Sequence, residues 1–249
     1  MTLVSRRTLM TGSAGLLLAG CDRINSSPSV THTLDLAEGL AYRTQRLIVG
    51  REALAPEYGV GDLSPVFRSN GNALPRSPIW QGLAASGFRD WRLRVDGLVR
   101  RRLALSHGQL RALPRRTQIT RHDCVEGWSA IGQWTGVQLS LVLALAGLAR
   151  DARYIVFHCF DDFSGTPYYE SIDLVDAFHP QTILAYGLNG KPLPIQNGAP
   201  LRLRVERQLG YKHAKFLDRI EAVASLKDIA GGKGGFWEDV TGYEWYAGI

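Results

Sequence analysis

Apolar and polar residues alternate in short stretches along most of this chain, and the alternation changes period repeatedly. Trp91-Arg92-Leu93-Arg94-Val95 alternates apolar with basic side chains, as a half-buried strand does. Asp96-Gly97 is a turn signal, and Leu98 to Leu105 predicts a second strand. Ser106 followed by Gln109 is a capping-box pattern, which predicts a short helix through Leu113, closed by Pro114. Gln118 to Cys124 predicts a strand. Val137 to Leu148 is leucine-rich with Gly147 near its end, and predicts a buried helix. Tyr154 to Phe160, apolar but for His158, predicts a buried strand. Ser171 to Phe178 predicts a helix that opens on a capping residue. Thr182 to Leu188 predicts a strand that turns at Asn189-Gly190, a strong hairpin signal. Leu201 to Val205 and Phe216 to Val223 predict two more strands. Glycine-rich residues 231–235 then lead into an aromatic segment, Phe236 to Tyr246. No internal repeat is present, and the fold class expected is α+β with strands in the majority.

The amino-terminal residues follow a different pattern. Arg6-Arg7 precedes a short apolar stretch, Leu16 to Ala19, far too short to span a bilayer as a helix. The pair predicts an export signal of the twin-arginine type, over residues 1–20. Leu18-Ala19-Gly20-Cys21 resembles a lipobox, so Cys21 is expected to carry lipid and hold the protein on a membrane surface without a spanning helix, with Asp22 as an inner-membrane retention signal. The location expected is periplasmic. Residues 21–60 are expected to be a linker and amino-terminal extension, with Ser26-Ser27-Pro28-Ser29 as flexible linker and one folded domain over 61–249.

Composition narrows the function. Of 249 residues 45% are hydrophobic, ample for a core. The net charge of +6 falls by two without residues 1–20, which hold Arg6, Arg7 and no acid. That is mildly basic and excludes a dedicated nucleic-acid binder. The basic residues do cluster, at Arg100 to Arg102, Arg111 to Arg121 and Arg202 to Lys215, and one such cluster suffices for a phosphorylated ligand. With Cys21 assigned to lipid, Cys124 and Cys159 remain. In an oxidising compartment they could pair as a disulfide, or Cys124 could stay free as a soft-metal ligand. No Cys-x-x-Cys-His motif for haem attachment is present.

The most informative segment is Arg121-His122-Asp123-Cys124-Val125-Glu126-Gly127-Trp128-Ser129. A thiolate there could be stabilised by neighbouring positive charge. The segment resembles the cysteine motif of the sulfite-oxidase-fold molybdopterin enzymes, and is most similar to the bacterial methionine-sulfoxide-reductase type of catalytic subunit. Three further blocks carry the resemblance in the same order: the loop around Asn70, the run Asn189 to Arg202, and Gly210-Tyr211-Lys212-His213-Ala214-Lys215. The resemblance implies a molybdopterin-binding fold of mixed, barrel-like sheets with surrounding helices and no immunoglobulin-like dimerisation domain. It implies a molybdenum-molybdopterin cofactor with Cys124 as metal ligand. Asn70, Cys159, Asn197, Arg202, His213, Ala214 and Lys215 would contact the cofactor, the last three partly through backbone amides. An amide suits the donor–acceptor edge of a pterin and a guanidinium suits phosphate. The chain departs from the family pattern after Asn70, where Gly71, Asn72 and Ala73 stand in place of aromatic and acidic residues, and at Cys159, where relatives carry threonine.

The activity implied is two-electron oxygen-atom transfer: reduction of an S-oxide or N-oxide, or oxidation of a sulfite-like anion. A separate membrane haem protein or cytochrome is expected to exchange the electrons, and the chain is expected to be a monomer. Two other classes compete on the residues alone. One is a cofactor-free lipoprotein that binds an anion through its basic cluster. The other is a cysteine hydrolase that pairs Cys124 with His122 or His158, and it leaves the other blocks without a role.

Overall fold

The computed structural model describes residues 27–249, so the arginine pair and Cys21 lie outside the described residues. The chain divides into two compact units, residues 1–50 and 51–249. In the first, Pro28–Ile48 form helix α1 where a flexible linker is expected. Pro28 sits in the first turn, where its fixed φ favours a helix start, and helix formers such as Leu, Ala, Glu, Gln and Arg follow. No helix among the described residues is long and apolar enough to cross a membrane.

The second unit begins ten residues before the expected boundary at 61. Glu57 already bridges to Thr120, and the Tyr58 amide donates to the Ile119 carbonyl. Two five-stranded sheets build this unit. One runs β2 (Leu103–Ser106), β1 (Arg92–Gly97), β10 (Leu217–Val223), β5 (Tyr154–Phe163), β6 (Thr166–Asp173). The other runs β3 (Arg115–Cys124), β4 (Trp128–Gln138), β7 (Ile183–Leu188), β8 (Lys191–Pro192), with β9 (Arg202–Arg204) also on β7. Short helices fill the connections: α2 (Pro78–Ala85), α3 (His107–Ala112), α4 (Leu139–Ala146), α5 (Leu174–Ala177) and α6 (Phe236–Thr241). This is the α+β, strand-rich architecture expected.

Most predicted elements form as read. The Ser106–Gln109 capping box closes reciprocally, and Gly147 ends α4 with φ 71°. Three readings need correction. The turn at Gly127-Trp128 leads at once into β4, which the sequence reading left unassigned because Gly132 and Gly136 interrupt its alternation. Gly136 lies where a Cβ would meet the Leu184 carbonyl oxygen at 2.2 Å, so close strand approach fixes glycine there. Ser171 does not start a helix. It lies fully buried in β6, and Asp173 caps the single turn α5 by accepting from the Asp176 amide. The predicted strand from Leu98 shrinks to Leu103–Ser106, because Arg100 and Arg101 donate their amides to the end of α4 instead.

One large core holds Trp91 just before β1, Leu93 and Val95 of β1, Ile155 and Phe157 of β5, Leu217 and Ile220 of β10, and Leu139, Val142 and Leu143 of α4. A smaller one, around Trp134, Ile183, Ala185 and Leu188, lies on the second sheet. The β3–β4 turn of one sheet and the β5–β6 end of the other line a common cavity, together with the segment after β9.

Candidate active site

Strand periodicity places the cysteine. Successive side chains of β3 point to opposite faces, so Gln118, Thr120, His122 and Cys124 share the inward face while Arg121 lies outward. Arg121 binds Asp123 at 2.9 Å, and Asp123 accepts from Ser129. The charge flanking Cys124 in sequence is therefore turned away from it. His122 is buried and held neutral, by desolvation first and by Arg204 second. Burial and the Glu126 carboxylate push the Cys124 thiol above its ordinary value, with a backbone hydrogen bond to residue 126 opposing. The expected thiolate stabilised by its neighbours is thus not what the fold builds. A neutral thiol stands at the cavity wall, and a soft metal would displace its proton. Cys124 and Cys159 are both free, so the disulfide reading is not realised.

Behind Cys124 lies a group of buried cations. Arg202 and Arg204 are fully buried on β9, with guanidinium carbons 5.0 and 4.4 Å from the centroid of the Trp134 ring. Arg204 is neutralised by Glu206 and donates to His122 Nδ1 at 2.8 Å. His122 thus carries its proton on Nε2, which faces Gly210. A Cβ at residue 210 would lie 2.5 Å from that nitrogen, so the glycine that opens the Gly210-Tyr211-Lys212 turn makes room for the ring. Arg202 differs from Arg204. It donates to the carbonyls of Asn197 (3.0 Å) and His213 (3.2 Å), and its Nε has no partner. Lys215 donates to Ser69 Oγ and to the carbonyls of Asn72 and Gln196. Among the described residues neither Arg202 nor Lys215 has a carboxylate partner. Desolvation, with Arg204 beside it, lowers Arg202 to about 9. Desolvation, with Arg202 beside it, lowers Lys215 to about 7.

The cavity has a volume of about 200 Å³ and is open to solvent. Asn70, Cys124, His213 and Lys215, four of the residues expected to hold the cofactor or its metal, line it. The Asn70 Oδ1 and His213 Nδ1 atoms are buried without a hydrogen-bond partner. Asn197, 2% exposed, lies one layer back, where its carbonyl holds Arg202. Ala214 is also behind the wall. The amides of His213 and Ala214 are engaged by the Gly210 and Lys212 carbonyls, so the expected backbone amides are already committed. Cys159 does not line this cavity. It faces a second, mostly apolar one and packs on the main core, where burial pushes its thiol well up. Sequence reasoning missed Asp161, Phe163, Tyr168, Trp237 and Tyr243, which complete the wall. Only the aromatic segment Phe236 to Tyr246 gave a signal, for Trp237 and Tyr243.

The neighbouring Lys212 has the opposite character. Its ammonium pairs with Glu170 at 2.6 Å and with Glu238, and all three side chains are at most 1% exposed. Arg202 and Lys215, by contrast, bury positive charge that awaits an anion, beside unpartnered acceptors suited to a heterocycle's N–H groups. The hydrolase reading finds no support here, because His122 is engaged by Arg204 and His158 by Glu221 at 2.9 Å.

Comparison with known proteins agrees with this chemistry. Residues 82–228 match the model of the oxidoreductase molybdopterin binding domain. A protein of Azospira oryzae named as a protein-methionine-sulfoxide reductase subunit, YedZ1, is 44% identical over 99% of this chain and 88% of its own length. The catalytic subunit MsrP of a protein-methionine-sulfoxide reductase from Xanthomonas campestris pv. campestris is 36% identical, over 62% of this chain and half of that relative. Among solved structures, the sulfane dehydrogenase SoxCD of Paracoccus pantotrophus aligns with a TM-score of 0.49 and 24% identity, over 57% of this chain and 41% of that one. A phosphorylated pterin fits the unpaired cations and acceptors, and a soft metal fits the free thiol. The chain belongs to the oxidoreductase molybdopterin binding domain family and is a molybdopterin-dependent oxidoreductase of the sulfite-oxidase-type fold.

Proposed function

We propose that the chain is the catalytic subunit of a sulfoxide reductase and removes oxygen from S-oxides such as methionine sulfoxide. The single observation that carries the site assignment is the free Cys124 thiol in one cavity with the counterion-free Lys215. The names of the relatives favour S-oxide reduction over oxidation of a sulfite-like anion. Cys124 would hold the metal, Arg202 and Lys215 the phosphate, and Asn70 and His213 the edge of the pterin, with Asn197 and Ala214 positioning them. When bound, the cofactor supplies the two-electron centre at which an oxygen atom is exchanged. The chain supplies the rest. Phe163, Trp237 and Tyr243 give the mouth an aromatic wall that suits a thioether-sized substrate.

Electrons would come singly from a separate partner, a membrane haem protein. The twin-arginine pair at Arg6-Arg7 and the lipobox at Cys21 favour a periplasmic protein held at the inner membrane by lipid. Cys21→Ala would then release the protein from the membrane fraction, and unchanged fractionation would refute the anchor.

The test is elemental analysis of the folded, exported protein beside Cys124→Ser, followed by turnover with a reduced dye. About one molybdenum per chain in the wild type, with reduction of methionine sulfoxide at least ~10³-fold slower in Cys124→Ser, is expected. A wild type that holds molybdenum yet oxidises sulfite and leaves sulfoxides untouched would reverse the direction proposed.

A further inference from the structure

A β-bulge on β5 aims a carboxyl group into the cavity. Between the pairs His158–Tyr169 and Asp162–Pro167, the three residues Cys159, Phe160 and Asp161 oppose Tyr168 alone. A second irregularity answers it on β10, between Leu217 and Arg219. Such insertions re-aim side chains beside active sites. Here Asp161 lines the cavity with Cys124 while only 4% exposed. Its Oδ2 accepts from Asn72 Nδ2 at a long 3.3 Å, and its Oδ1 has no partner. A buried carboxyl is costly unless it is paired or protonated. No cation donates to it among the described residues, since Lys215 turns its ammonium to Ser69, Asn72 and Gln196.

The other carboxyl in the cavity, Glu126, is differently placed. Its Oε1 accepts from the Gly71 amide and its Oε2 from Trp128 Nε1 at 2.9 Å. It is a committed acceptor, whereas Asp161 offers a free oxygen. Resting on the sulfoxide-reductase reading, we propose that Asp161 is a catalytic acid whose Oδ1–H hydrogen-bonds the oxygen of a bound S-oxide and delivers one of the two protons with which that oxygen leaves as water. The overall step is R₂SO + 2e⁻ + 2H⁺ → R₂S + H₂O. The S–O bond breaks, two O–H bonds form, and sulfur gains two electrons, delivered one at a time by a reduced haem or dye. The second proton and the reprotonation of Asp161 come from solvent through the open mouth.

The surroundings suit the role. Burial raises Asp161 to about 6, against the Asn72 hydrogen bond and Lys215, with Asp162 adding slightly to the rise. Glu126 and His213 share the cavity, as do the phenols of Tyr168, Tyr211 and Tyr243. His213 is held neutral. An anionic cofactor beside these groups moves Asp161 in the same direction as burial does. The acid form is therefore the reactive one, and the rate falls as pH rises.

Asp161→Asn and Asp161→Glu holoenzymes test the assignment. With reduced dye and methionine sulfoxide, kcat/KM of Asp161→Asn is expected to fall about 10²-fold or more, at unchanged molybdenum per chain. The wild-type rate should fall about tenfold per pH unit above the Asp161 pKa of the loaded enzyme, at or beyond ~6, a limb absent from Asp161→Asn and shifted in Asp161→Glu. Infrared difference spectra, wild type minus Asp161→Asn, should show a protonated-acid carbonyl band that disappears over the same pH range. A wild-type rate and pH profile in Asp161→Asn overturns the assignment. If Asp161→Asn fails to load metal, an unshifted limb in Asp161→Glu overturns it. A metal-loaded wild type that reduces no S-oxide overturns the parent reading, and the acid assignment with it.

Discussion

Two buried charge clusters lie side by side in this protein and differ in one respect. In one, Lys212 pairs with Glu238 and with Glu170, which burial drives toward its neutral form, so charge balances with at most 1% exposure. Arg202 and Lys215 bury two positive charges against carbonyl and hydroxyl oxygens only. In the first cluster burial opposes the charge on Lys212 but its two carboxylates outweigh it and raise the ammonium, while burial drives Glu170 well up. In the second it drags both cations down. Balanced buried charge is scaffold, and a buried surplus of one sign marks the place of a ligand of the other sign. Lys212 and Lys215 are three residues apart in one basic run, so the distinction is invisible in the sequence.

The sharpest way to break the comparison is Lys212→Met. It leaves Glu170 and Glu238 buried together, and should destabilise the protein by about 3–5 kcal/mol with or without cofactor, as measured by denaturant unfolding. An effect confined to the loaded protein would place Lys212 with the ligand-holding group. Arg202→Met should behave oppositely. The cofactor-free protein is expected to stay within about 1–2 kcal/mol of wild type, because the lost hydrogen bonds offset the relief of an unpaired charge. Molybdenum content and the thermal stabilisation given by loading should both collapse. Equal loss of stability in both forms would make Arg202 scaffold.

The comparison also appears in pH dependence. Lys215 is depressed from the ordinary lysine value to about 7, so the unfolded chain binds more protons between pH ~7 and ~10.5. The stability of the cofactor-free protein should therefore rise with pH across that window. Lys215→Met should flatten the rise. Cofactor loading should flatten it too, since a phosphate beside the ammonium returns its affinity for the proton. A slope that survives both changes would assign the titration to another group.

What could be read in advance follows from the range of the forces involved. Strands with clean alternation, the Ser106 capping box and the Asn189-Gly190 hairpin are local, and they formed as read. β4 was hidden because its glycines answer to a neighbouring strand and not to their own sequence. Helix α1 was hidden because a serine-proline cluster reads as linker when Pro28 in fact starts a helix. In the site, residues held by a motif were found: Cys124, Asn70, His213 and Lys215 line one cavity. Cys159 was misplaced because the bulge changes which β5 side chains face the cavity, and the same bulge brings in Asp161 unannounced. The roles of Arg121 and His122 were misjudged for a related reason. Proximity in sequence to Cys124 says nothing about direction, and strand geometry sends one outward and commits the other to Arg204.

Trp237 and Tyr243, which wall the cavity, follow Cys124 by more than a hundred positions, and Glu238 between them is needed to settle Lys212. A chain emerging from the ribosome presents its thiol and its cationic segment long before that wall exists. The cavity around the metal ligand is thus closed only by residues made long after it, and the order of synthesis itself keeps the Cys124 thiol open until they arrive.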